Sequence, residues 1–297
     1  MGGEEFKMKK VLGVFLFLLL VPLAIIVADE KYQEKYLQLL KNDDLDHLLP
    51  ILQEWERTAP NDIELYIAYF NYYLRLGASS QITMGKMEDG RYGIYNREEY
   101  EKENTTKAIS YLDEALKISN DRLDIYFGKC SVLVKTHEYE ELTATIKQFL
   151  HRSEINKNKW LWSNSETFES LGWPGEEVVF SGLNDFLNAM FNDFALSEKY
   201  IEEIVELEME LYPKNVWGLN HAARYYDLSG DREKAIKTLE KAYKIDPMDY
   251  VVLGNLAYLC EEAKDYERAL EYYNKLKELN IPEATSYADE GIDRIKK

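Results

Sequence analysis

The sequence predicts an all-α protein, a right-handed solenoid of about six helix pairs closed by a C-terminal capping helix. Three observations predict it. Residues recur at a fixed spacing of 34: Leu219 and Leu253, Ala223 and Ala257, Asp231 and Asp265, Ala235 and Ala269, Pro213 and Pro247. A period of that length, with small residues at fixed offsets, marks stacked helix hairpins. The chain is also poor in turn residues, with 7 Pro in 297 residues, and rich in Tyr, with 23. Finally, 46% hydrophobic residues supply a large core, which excludes disorder of the whole chain.

Charge and cysteine content narrow the function. Asp+Glu number 54 against 36 Lys+Arg, a formal charge of −18. Such a surface repels phosphate backbones and anionic headgroups, so nucleic acid is excluded as the expected partner. The 2 cysteines provide neither a disulfide framework nor a Cys-rich metal site.

Residues 1–28 are expected to form a signal peptide or N-terminal membrane anchor. Lys7, Lys9 and Lys10 precede an unbroken apolar run from Val11 to Ala28, and Asp29 and Glu30 follow. A basic region, an apolar stretch and a polar mature chain make an export signal. As a helix the run is about 27 Å long at ~1.5 Å per residue, just enough to span a bilayer. Cleavage after Ala28 and retention as an anchor both fit, and Met8 is an alternative start. Either way the remaining chain is expected outside the cytosol, in a bacterial periplasm or envelope or secreted, with membrane contact only through residues 11–28 if uncleaved.

Residues 29–297 read as one continuous repeat array. The first unit, about 29–62, has Pro50 early in its second helix, which predicts a late start or a kink. The second, from about 63, has Tyr66, Phe70 and Tyr73 on its first helix and Ala108, Leu112 and Ala115 on its second. Between them lies an insertion near 77–103, Gly-rich and polar, read as a long loop. Glycines 85, 90 and 93 lack the Lys-Ser/Thr ending of a phosphate loop. The third unit, 123–156, carries Tyr126, Cys130, Leu133, Leu142, Ile146 and Phe149 in register. A second insertion near 157–181 holds three of the 5 Trp, at Trp160, Trp162 and Trp173. Units four to six start at about 182, 216 and 250, and Glu283–Lys297 reads as the cap.

The run Leu219, Ala223, Tyr226, Gly230, Ala235, Leu239, Ala242, Pro247 resembles the tetratricopeptide repeat at nearly every key place. In that family, small residues at the eighth and twentieth places let the two helices of a unit approach, as Ala223 and Ala235 would. Gly230 suits a left-handed turn. The resemblance implies a non-enzymatic scaffold that holds an extended peptide or partner helix against the inner face of each first helix. The inward places are the second, fifth, ninth, twelfth and thirteenth. They assign Asn71 and Arg75 in unit two, Phe127 and Lys135 in unit three, and Phe186, Met190 and Phe194 in unit four. Unit five contributes Trp217, Asn220 and Arg224, and unit six Tyr258, Glu261 and Glu262. Some of these aromatics are equally readable as packing against the insertions. Chaperone-tail receptors of the family pair Lys and Asn at the fifth and ninth places; here Asn71 stands with Ile67, which argues against that role.

No catalytic, metal or cofactor site is expected. His47, His137, His151 and His221 are scattered, without metal-ligand spacing. Cys130 and Cys260 read as buried packing groups in distant repeats. Acidic pairs such as Glu202-Glu203 and Glu261-Glu262 read as solvated helix faces. The expected function is an exported scaffold for a protein or peptide partner, neutral or basic overall. The alternative is a secreted ligand- or carbohydrate-binding protein using Trp160, Trp162 and Trp173 as an aromatic platform; the competing view of those residues is a plug filling the register break.

Overall fold

The computed structural model describes residues 30–86, 92–163 and 166–297. The export signal expected at 1–28 lies outside them. Thirteen helices are present among the described residues. They fall into six hairpins and one final helix: α1 Glu30–Lys41 with α2 Leu45–Thr58, α3 Ile63–Gly77 with α4 Lys102–Ile118, α5 Leu123–Lys135 with α6 Tyr139–Asn156, α7 Gly175–Asn192 with α8 Phe194–Leu211, α9 Val216–Leu228 with α10 Arg232–Ile245, α11 Tyr250–Glu262 with α12 Tyr266–Glu278, and α13 Pro282–Lys296. No described helix is long and apolar enough to cross a membrane.

The 34-residue period is visible in the caps. Asn215 and Asp249, 34 apart, cap α9 and α11 by accepting from the backbone N–H groups of Gly218 and of Val251 and Val252. Asp231 and Asp265 do the same for α10 and α12, accepting from Lys234 and Arg268. Each satisfies a donor that the first turn leaves without an intrahelical partner. The turn between the helices of a unit carries a second mark. The fifteenth residue of units one, three, five and six is Asp43, His137, Gly230 and Lys264, and all four have positive φ (56°, 56°, 91° and 61°). The small places close as the spacing predicts. Ala223, Ala235, Ala257 and Ala269 are buried to 1% exposure or less, and so is Cys130.

The chain separates into two compact units, with the boundary at residues 176 and 177. It falls where the second insertion breaks the register. In residues 30–176 the first three hairpins enclose an aromatic-rich core around Trp55, Tyr69, Phe149 and Trp160. In residues 177–297 the last three hairpins and α13 share a core of Leu219, Leu239, Leu253, Leu256, Tyr273 and Leu276, joined by Ala284, Ala288 and Ile292 of α13.

Four local expectations change. The insertion near 77–103 is an antiparallel hairpin rather than a loop: β1 Ala78–Lys86 pairs with β2 Tyr92–Tyr100, from Ala78 opposite Tyr100 to Lys86 opposite Tyr92. The alternation of Ile82 with Met84 and of Tyr92 with Ile94 is the period-two signal that its glycines obscured. Gly77 lies at the neck, where a Cβ would approach within 2.7 Å of the Asn104 Cβ. α2 starts at Leu45 and runs through Pro50, so there is no late start. α7 begins at Gly175, seven residues before the predicted unit, which shortens the second insertion. Phe194 is the first residue of α8, not part of the preceding helix.

Candidate functional site

The first helices of the first three hairpins, α1, α3 and α5, wall a cavity of about 180 Å³ in residues 30–176. Leu37 and Leu40 come from α1, Ile67, Asn71 and Leu74 from α3, and Ile125, Ser131, Val132 and Lys135 from α5. Tyr100 at the end of β2 and Ser163 of the second insertion complete the rim. The four-residue spacing of Ile67 and Asn71, and of Ser131 and Lys135, puts each pair on one helix face.

The polar groups are unevenly distributed. At one end Glu64 and Asp124 share one guanidinium. Arg122, 1% exposed, donates from Nε and Nη2 to Asp124 at 2.8 and 2.7 Å, and from Nη1 to Glu64 Oε1 at 2.7 Å. Burial opposes the Arg122 charge, but its two carboxylate neighbours raise its pKa further. Burial pushes the Glu64 carboxyl up despite Arg122. At the other end Lys135 bonds Glu98 at 3.1 Å and the Tyr100 hydroxyl at 3.2 Å. Tyr36 stands within the wall at the eighth place of unit one, where the repeat calls for a small residue. Its hydroxyl is buried and makes no hydrogen bond. Burial drives its phenol pKa far up, with Asn71 and Arg75 opposing the shift.

The predicted inward residues divide by environment. Asn71 and Lys135 line the cavity together. Arg75 turns away, tying α3 to the α1–α2 turn through the Leu40 carbonyl (3.1 Å) and Asp43 (2.9 Å). Phe127 is 5% exposed and packs edge-on against Phe149 and Trp162, so it belongs to the core. In residues 177–297, Phe186 and Met190 are also buried, at 7% and 0% exposure, because α7 packs that side inward. Trp217 and Tyr258 are half-buried on α9 and α11. Asn220 accepts from Asn255 at 3.1 Å, and Arg224 donates to Asn188 at 2.6 Å while its guanidinium covers Phe191. These amides join α7, α9 and α11 along the face expected to bind.

The three tryptophans of the alternative aromatic platform differ in exposure. Trp160 is fully buried, with its Nε1 donating to Ser153, and Trp162 is 2% exposed. Trp173 alone reaches the surface, at 36%, edge-on to Trp162 and Phe168. The segment fills the register break. Glu261 departs from the solvated reading too: it accepts from Tyr273 at 2.6 Å and from both Nε and Nη2 of Arg294. Cys130 and Cys260 are buried free thiols, and burial raises Cys260 to about 11. His221 is buried against Glu208 at 2.9 Å. Among the described residues no group of three or more His, Cys, Asp or Glu is placed to hold a metal.

Residues 228–280 match the family described as tetratricopeptide repeat. Within those residues the chain is similar to tetratricopeptide repeats. No curated protein matches it. Among solved structures it is similar to MamA of Desulfovibrio magneticus RS-1, with 15% identity over 86% of this chain and 97% of that one, at a TM-score of 0.32. It is also similar to PilW, a widely conserved type IV pilus biogenesis factor, with 13% identity over 88% and 99% of the two chains and a TM-score of 0.39. For pilF of Pseudomonas aeruginosa the values are 13% identity, 88% and 96% coverage, and a TM-score of 0.36.

The 34-residue register does not reach every cavity residue. Tyr36, Leu37 and Leu40 belong to the first unit, whose helix lacks the family's small eighth residue and so carries a weak signal. Counting eight places from residue 29 reaches Tyr36, a large polar side chain where Ala is expected. Tyr100 and Ser163 come from the insertions, which the register does not cover.

Proposed function

We propose that this chain is a non-enzymatic tetratricopeptide scaffold, exported through residues 1–28, that binds a segment of a partner protein in the cavity of its first three units. One observation carries the reading: the first helices of three successive units, α1, α3 and α5, converge on a partly apolar cavity with Asn71 and Lys135 on its wall. Cavities of this character, apolar with a few placed polar groups, are the usual binding sites of proteins. The basic and apolar leader, Lys7 to Ala28, supports export. The net charge of −18 favours a neutral or basic partner.

The test is selection of displayed peptides on the purified chain, followed by affinity measurement with Ile67→Arg, which fills the cavity from a half-buried position. Selected peptides should lose binding to this variant by at least an order of magnitude and keep it in Trp217→Ala. Binding unchanged in Ile67→Arg overturns the assignment to this cavity. Detection of the mature chain in the cytosol of its host would overturn export.

A further inference from the structure

The charge at the cavity is unbalanced in a way that specifies its occupant. Asp124 takes two of the three hydrogen bonds that Arg122 donates, and Glu64 takes one through Oε1. Two carboxylates thus face the cavity with one positive charge between them. Nearby cations do not correct this, because each already has its own acid: Lys135 is paired with Glu98 at 3.1 Å and Arg75 with Asp43 at 2.9 Å. The local surplus is therefore negative. A carboxylate that is mostly removed from water and only partly compensated favours the approach of a cation.

Next to this acidic end the wall is apolar, with Leu37, Leu40, Ile67 and Leu74. Tyr36, 5% exposed, completes that wall.

We propose that the occupant is a partner-protein segment that places a Lys or Arg side chain against Glu64 and Asp124 and seats an adjacent apolar side chain on Leu37, Leu40 and Ile67. The proposal rests on the scaffold reading above and adds the chemistry of recognition. The cation completes the shared ion pair, and the apolar neighbour removes wall surface from water. An acidic segment is rejected at the same place by the surplus carboxylate.

The experiment uses the displayed-peptide selection on the full chain. Peptides that depend on the cavity, judged by Ile67→Arg, are resynthesised with citrulline for Arg or norleucine for Lys, and each is measured on wild type and on Glu64→Gln. The expected result is a selected motif of one basic residue beside one apolar residue. Its affinity should fall on the order of tenfold with the uncharged peptide and with Glu64→Gln, as for loss of one charge-assisted hydrogen bond. The peptide-side change decides the matter if Glu64→Gln unfolds the protein. Cavity-dependent peptides without a basic residue, or with affinity indifferent to citrulline, overturn this inference and leave the scaffold reading standing. A selection that returns no cavity-dependent peptide overturns both.

Discussion

The backbone of Gly291 in α13 rests on the ring of Tyr273 in α12 so closely that any Cβ at position 291 would overlap the ring carbons. The contact seats the last helix on the sixth unit, whose core residue Tyr273 is fully buried. Gly291→Ala should therefore overpack the joint and cost about 1–3 kcal/mol. Urea unfolding with Gly291→Ala beside an exposed-face control, Asp293→Ala, checks this. Equal stability of the two would show that α13 does not use the contact.

Removing residues 283–297 should have a larger effect of the same origin. It uncovers the surface that Ala284, Ala288 and Ile292 cover in the core of residues 177–297. Terminal units of a repeat stack need a polar outer face to remain soluble. The truncated chain should bind a hydrophobic dye and aggregate at concentrations where the full chain stays monodisperse. Unchanged melting and solubility would remove the capping role from α13.

The same joint should respond to acid. Burial alone would raise the Glu261 carboxyl, but the Arg294 fork and the Tyr273 hydroxyl outweigh it and hold it below its ordinary value. A carboxylate depressed in the folded state contributes stability that is present above its unfolded value, about 4.3, and lost as pH falls through the folded value. Stability measured by urea titration from pH 6 to pH 3 should fall less steeply in Glu261→Gln than in wild type. Parallel curves would show that this group does not contribute to acid sensitivity.

Lys264 holds at φ 61° the conformation that Gly230 holds at 91° one repeat earlier. The left-handed region costs a residue with a Cβ roughly 1–2 kcal/mol, part of which glycine's greater freedom in the unfolded chain offsets. Lys264→Gly should stabilise by about 0.5–1 kcal/mol and Gly230→Ala destabilise by about 1 kcal/mol. Thermal melts of the two variants should move in opposite directions.

Tyr36→Phe removes a buried hydroxyl that has no partner. The unliganded chain should gain stability, about 1 kcal/mol, because the desolvation cost of that group disappears. A loss of stability would mean that the hydroxyl is satisfied in solution.

Much of the architecture was legible in the residues. The 34-residue spacing located the helix hairpins because caps, turns and small packing residues are local devices that repeat when the unit repeats. Asp231 and Asp265 do the same work at the same offset, as do Ala235 and Ala269. The hairpin at 78–100 was not legible because Gly85 and Gly93, paired across the two strands, read as loop residues. The candidate site was half legible. Asn71 and Lys135 stand where the register placed them, but Phe127, Phe186 and Met190, assigned to the same face, are buried.

Periodicity thus specified which helices pair and which end needs covering, since both follow from residues close in the chain. Which side of a helix meets a neighbour depends on long-range packing. Phe127 goes inward because Trp162, 35 residues later, folds back over it, and Glu261 is engaged because Arg294 reaches it from α13. The uncompensated acid of the cavity has the same origin. Glu64 and Arg122 lie 58 residues apart, and their shared charge exists only once α3 and α5 are stacked.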